Sequence, residues 1–185
     1  MLKDRRFRYP YPWDTLMCQR AAVIYPAMTE QRVGSVQRRA ARAILIDDQR
    51  RLLLIKRTKP NEPPYWTTPG GGVEETDESV EAALHRELAE ELGATATVAS
   101  HVFLFSYAGE DGDVVHHFFV ARLSALDEST RTGTEFSDPA RGSYELDRVA
   151  LRGDGLAALD LKPAPLKEFI LDNRAALLSE AASVA

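Results

Sequence analysis

Cysteine is nearly absent from this chain, for Cys18 is the only one in 185 residues. A single thiol excludes a disulfide framework and a cysteine-built metal site, and it suits a reducing, cytoplasmic setting. Long hydrophobic runs are missing as well. Every apolar stretch falls short of a membrane span, and Arg20 interrupts the segment near the start where a signal-peptide core would lie, so no membrane partner is expected. Internal repeats and low-complexity tracts are absent. The glycine run at 70–72 lacks the Lys-Ser/Thr of a P-loop, and no Cys or His stands at zinc-ligand spacing beside the acidic segment that follows it.

Charge is unevenly spread. The net charge is −5, yet residues 1–39 hold eight Lys/Arg against three Asp/Glu, leaving fifteen against twenty-five in the remainder. A net-negative body binds nucleic acid poorly, so no stable nucleic-acid partner is expected. An anionic ligand would have to approach through a locally positive site or a bound cation. Residues 1–35, with Arg5, Arg6, Arg8 and the run Tyr9 to Trp13, read as a basic, aromatic extension. Packing on its own domain or on a second copy of the chain is favoured over stacking on nucleic acid. With 44% apolar residues the chain fills one domain, read as 36–180, with a short tail at 181–185.

Periodicity places strands at 40–46 and 52–57 around a turn at Asp47–Arg51, and a short strand at 66–68. Two more, at 95–107 and 114–123, are joined by a Gly109–Asp113 hairpin turn, and another lies at 144–151. One final helix carries Leu166, Phe169, Ile170 and Leu177. This order predicts a mixed sheet between helices. His116 and His117 are neighbours on a strand, point to opposite faces, and cannot share a metal.

The densest chemistry lies between Gly70 and Ala94. Thr76 or Asp77 caps a predicted helix of about sixteen residues that ends at Gly93. On it, Glu87, Glu90 and Glu91 fall within an arc of about 100°, beside an apolar stripe of Val80, Leu84, Leu88 and Leu92. Carboxylates so placed repel one another unless a divalent cation neutralises them, and hard oxygen donors select Mg²⁺ or Mn²⁺. Arg86 stands next to Glu87 and four residues before Glu90, placed to orient carboxylates. The glycines before the helix bring bare backbone close to an ion or a phosphate.

Gly72, five residues, Glu78, seven residues, Arg86-Glu87-Leu88, one residue, Glu90-Glu91, one residue, then Gly93 and Ala94: this spacing resembles the signature of the Nudix hydrolases, MutT-like in type. Only Ala94 departs, standing where a larger aliphatic is usual. Trp66 to Gly71 also resembles the strand and turn that lead into the box. The resemblance implies an α/β/α sandwich of the α+β class, with a mixed sheet and a loop–helix–loop box. It implies attack of water at phosphorus on a small-molecule nucleotide, a nucleoside diphosphate linked to some group X. By the same resemblance Glu87, Glu90, Glu91 and the Gly71 carbonyl hold Mg²⁺ or Mn²⁺, and Arg86 orients Glu87 while Glu78 links to Arg86. Either Glu91 or Glu87 serves as general base. A further acid from outside the box is expected at Glu135 or Glu145, although each also reads as an ordinary surface carboxylate. The rival function is a non-catalytic nucleotide-sensing or scaffolding module, against which the intact acid set argues. Substrate identity stays open among (d)NTPs, ADP-ribose, other nucleotide-sugars and capped RNA.

Overall fold

The structure is a computed structural model that describes residues 36–132 and 142–184. Its strands run β1 Val36–Ile46, β2 Arg51–Thr58, β3 Tyr65–Thr67, β4 Gly70–Gly72, β5 Ala94–Ala108, β6 Asp113–Leu126, β7 Ser143–Ala150 and β8 Leu161–Lys162. The helices are α1 Val80–Leu92, α2 Gly155–Ala158, α3 Ala164–Asp172 and α4 Arg174–Ser183. None of the described helices is long and apolar enough to cross a membrane.

All eight strands join one mixed sheet in which β1 is central. It runs parallel to β6 from Val36 opposite Asp113 to Ile46 opposite Arg122. On its other side β1 changes partner midway. Ala40–Arg42 pair with Gly72–Gly70 of β4, whereas Leu45 and Ile46 pair with Leu53 and Leu52 of β2. Between these two pairings the Ala43 N–H donates to the Pro69 carbonyl at 2.9 Å.

The apolar runs of β1 and β2 bury both faces, as a strand covered on each side must. Ala41, Ala43, Leu45, Leu53 and Ile55 pack with Ala83, Leu84, Leu88 and Leu92 of α1. Ile44, Ile46, Leu52 and Leu54 pack on the opposite face with Leu166, Ile170, Leu177 and Ala181 of α3 and α4. The result is the expected layered sandwich, and the layer holding α1 carries the acidic helix.

Three sequence expectations are corrected. The glycines at 70–72 form a strand rather than a free turn, because bare backbone fits where a Cβ on Gly70 would strike the Ala41 carbonyl. Helix α1 spans 13 residues and starts later than predicted, since Ser79 caps it by accepting from the Ala82 N–H at 3.0 Å. Thr76 and Asp77 stay outside. The single final helix is two, divided at Asn173, whose side-chain amide donates to the Phe169 carbonyl at 2.8 Å. Helix α4 runs on to Ser183 and buries Ala181.

Replacing Leu54, fully buried, by Ala is expected to destabilise the protein by about 3 kcal/mol through lost transfer energy and a residual cavity. Leu104→Ala, at a site 42% exposed, should stay within about 0.5 kcal/mol. Urea denaturation of both variants checks the contrast.

Candidate active site

Helix α1 is pinned along one edge by Ala83, Leu84, Leu88 and Leu92, all buried. It stops at Gly93, whose φ of 63° is the left-handed conformation glycine adopts without strain and whose N–H closes onto Ala89 and Leu88. The edge beside the buried stripe then presents Glu87 and Glu91 to β4, with Glu90 turned to Arg86. Glu91 accepts from the Gly70 N–H at 2.7 Å through Oε2. Gly71 lies so close to the Glu87 carboxylate that any Cβ there would overlap it. The glycines of β4 therefore admit two carboxylates to the backbone.

Arg86 uses every N–H it has. Nε and Nη2 donate to the two oxygens of Asp77, each at 3.0 Å, and Nη2 also donates to the Gly72 carbonyl at 2.8 Å. Nη1 donates to Glu87 Oε1 at 3.0 Å and to Glu90 Oε2 at 3.3 Å. These fill the five donors of a guanidinium. The partner expected from the loop was Glu78, and the structure corrects this: Asp77 takes the bidentate place. Asp77 is itself aimed by accepting from the Glu74 N–H at 2.8 Å, whereas the neighbouring Glu78 is exposed.

The electrostatics follow from these contacts. Hydrogen bonds from Arg86 hold the Asp77 carboxyl below its usual range. Glu87 moves the other way: burial raises it, and the charge of Arg86 opposes that rise. Arg86 is held more firmly protonated than a free guanidinium, first by Asp77.

Of the three arginines on β1, two that border the site, Arg38 and Arg42, were missed in the sequence. Arg42 donates through Nη1 to the Thr68 carbonyl at 3.0 Å, just ahead of β4. Burial lowers its pKa, and the charges of Glu91 and Glu87 oppose that shift, so it lies within reach of the acidic cluster. The Nη2 of Arg38 lies 3.8 Å from where a Cβ on Gly72 would sit. Strand alternation places both arginines on one face, four residues apart, and that spacing was the available signal. His116 is pushed down to about 4, first by burial and then by Arg42 and Arg38, which places it beside them.

Other predicted residues fall elsewhere. Glu145 is exposed on β7, where Ser143 donates to it at 3.1 Å and Lys56 lies 3.6 Å away. Glu135 lies outside the described residues. The Arg57 guanidinium sits over the Tyr144 ring, 3.5 Å from its centre. Trp66 packs against the core and donates to Asp147 at 2.8 Å. His117 faces away from His116 and lies against His101, with ring centres 5.1 Å apart and planes tilted by 35°. Two cavities, of about 560 and 380 Å³, lie around Asp48 and Arg122 and share no residue with the acidic cluster.

Among the described residues, no three His, Cys, Asp or Glu side chains close on one point. Glu87 and Glu90 turn to Arg86, and Glu91 turns to Gly70. The donor chemistry nevertheless fits a hard cation, because carboxylate oxygens and a glycine backbone meet with no nitrogen or sulfur ligand among them.

Asp77→Asn is expected to lower the urea midpoint, and Glu78→Gln to leave it nearly unchanged. The Asp77 carboxyl is depressed in the folded state, so its stabilisation is complete above the unfolded value of about 3.9 and fades as pH falls through the folded one. The difference between wild type and Asp77→Asn should therefore shrink in acid, as urea titrations at pH 7 and below pH 4 would show.

Comparison with known proteins gives this geometry a family. The NUDIX domain family matches residues 36–156. No curated protein matches the sequence. Among solved structures, a NUDIX hydrolase from Nitrosomonas europaea is similar at 15% identity with a TM-score of 0.57, over 75% of this chain and 88% of that one. The E. coli ORF135 protein is similar at 27% identity and a TM-score of 0.51, over 75% and 91%. The MutT protein of Methanosarcina mazei Go1 is similar at 19% identity and a TM-score of 0.52, over 73% and 91%. With a layered mixed sheet, an acidic helix against a glycine strand and a family match across most of the described residues, this chain belongs to the Nudix family and is a Nudix pyrophosphohydrolase.

Proposed function

We propose that the domain at residues 36–180 hydrolyses the pyrophosphate bond of a nucleoside diphosphate linked to X, with Mg²⁺ or Mn²⁺, in the cytoplasm. The observation that carries this reading is the packing of Glu87 and Glu91 against the bare backbone of Gly71 and Gly70, with Arg86 tying Glu87 and Glu90 to the same strand.

Glu87, Glu90, Glu91 and the Gly71 carbonyl are the groups that would hold the cation. Bound there, it would supply charge neutralisation and polarisation of phosphoryl oxygens. The remaining steps belong to the chain. The rigid helix and β4 fix the carboxylates relative to the phosphate chain, which makes attack nearly unimolecular. A carboxylate, Glu91 or Glu87, takes a proton from water as its oxygen bonds to phosphorus. The anhydride P–O bond breaks, and its electron pair leaves with the departing phosphate. The burial that raises the Glu87 pKa makes that carboxylate the stronger base of its type. Arg86 keeps Glu87 in place by holding Oε1 while Asp77 anchors its other edge. Glu145 and Glu135 remain candidates for a further acid.

Incubation with (d)NTPs, dinucleotides and nucleotide-sugars plus Mg²⁺, followed by phosphate and pyrophosphate release, is expected to identify at least one substrate. Glu91→Gln should lower turnover by about 10²-fold or more with the fold intact by circular dichroism. Near wild-type hydrolysis by that variant at saturating Mg²⁺ would overturn the site. Tight binding of one nucleotide without turnover would favour the sensing module instead.

A further inference from the structure

Away from the acidic cluster, β5 and β6 bring two histidines together. His101 lies opposite Phe119, and His117 lies opposite Leu104. The register of β5 shifts on both sides of His101, between Val98 and Ser100 and again between His101 and Phe103. Such shifts re-aim side chains. The second one sends Phe103 into the core beneath α3 and α4, while the His101 ring stays against Phe119 and His117, with centres 4.9 and 5.1 Å away. On β1 the residue opposite His117 is Ala41, and Gly71 of β4 lies opposite Ala41 in turn. One strand therefore separates the histidine pair from the glycine that meets Glu87.

His101 is the informative member. Its Nε2 is shut off from solvent and has no hydrogen-bond partner, while the ring makes a hydrogen bond to the backbone of Phe103. That bond falls to Nδ1, which fixes the tautomer and leaves a lone pair on Nε2. A buried acceptor without a donor is costly. Both rings are pushed below the ordinary imidazole range, first by burial, so both are neutral near pH 7 and keep lone pairs for a ligand.

The spacing suits a shared ion. Two imidazoles on one tetrahedral metal, with bonds of about 2.1 Å, have ring centres roughly 5 Å apart, and this pair stands at 5.1 Å. The bond from Nδ1 to a backbone carbonyl is also the usual support of a metal-bound histidine. No carboxylate is among the charges acting on either ring, and the one charged side chain that acts is Arg39, on His117. A hard cation such as Mg²⁺, held by oxygen ligands and charge, is disfavoured there, whereas a borderline ion bound through nitrogen is not.

We propose that His101 and His117 form a metal site of their own, for a divalent transition ion of the Zn²⁺, Ni²⁺ or Cu²⁺ kind. Among the described residues no third His, Cys, Asp or Glu joins them, so water completes the coordination. Strand β5 is the edge of the sheet, and an ion shared by the two histidines clips it to β6. The site shares no residue with Glu87, Glu90, Glu91 and Gly71, so it stands whether or not the chain hydrolyses nucleotides.

The test is titration of the wild-type chain with Zn²⁺ in excess Mg²⁺, which saturates the carboxylate cluster. The imidazole NMR signals of His101 and His117 are expected to shift together, while those of His85 and His116 stay in place. Calorimetry should show a Kd tighter than about 1 mM. His101→Gln and His117→Gln should each weaken binding by about tenfold or more, and His85→Gln should leave it unchanged. Zn²⁺ should raise the thermal midpoint of wild type more than that of either pair variant, because an ion bound only to the folded state stabilises it. If one variant fails to fold, the other and the wild-type NMR titration decide. Unmoved signals of the two histidines, or wild-type affinity in the folded variants, would overturn the site.

Discussion

The arrangement around Arg86 is the constraint on which the rest of the site depends. One planar cation joins three pieces of chain that are far apart in kind: the loop at Asp77, the backbone of β4 at Gly72, and two carboxylates of α1. Glu87, Glu90 and Glu91 on one helix edge repel one another, and Arg86 offsets this for Glu87 and Glu90 while the Gly70 N–H holds Glu91. The fork of the guanidinium also sets direction, since it grips Asp77 with two parallel bonds and has its remaining edges left for Gly72 and the glutamates. A lysine in its place brings three donors and no fixed plane. Direction, more than charge, is what the site needs, for a carboxylate must meet its ligand at a given atom.

Glycine does the complementary work on the strand. A Cβ at Gly71 would overlap the Glu87 carboxylate, and one at Gly70 would strike the Ala41 carbonyl. The strand can approach helix and sheet together only because both side chains are absent. It does so where β1 hands its pairing from β4 to β2, and the bond from Ala43 to Pro69 marks that crossing. The core on the α1 side, built from Ala41, Ala43 and Leu45 against Leu84, Leu88 and Leu92, keeps the helix from shifting relative to the glycines. The small side chains of Ala41 and Ala43 allow the close approach of α1 that carries its acidic edge onto β4.

The same strand reconciles the charge of the protein with its chemistry. The chain is net negative, and Arg42 places a positive charge within reach of Glu87 and Glu91. Its hydrogen bond to Thr68 also joins β1 to the residues that enter β4. The positive charges therefore lie on the sheet and the negative ones on the helix, on either side of the glycine strand.

Much of this was legible in the chain itself. Alternation and helical period placed most of the strands, the acidic helix and its buried stripe, and the spacing from Gly72 to Gly93 carried the family and the reaction class, because those signals are local. The misses share a cause. Asp77 rather than Glu78 faces Arg86 because Ser79 takes the helix cap and the Glu74 N–H turns Asp77 inward, which is settled by backbone direction over a few residues. The glycines read as a turn became a strand because β1 offered them partners more than twenty residues away. Composition and spacing alone determined that an acidic, metal-suited helix lies behind a glycine segment. Only the tertiary structure decided which carboxylate Arg86 grips and that two arginines of β1 border the site, since both depend on where a distant strand comes to lie.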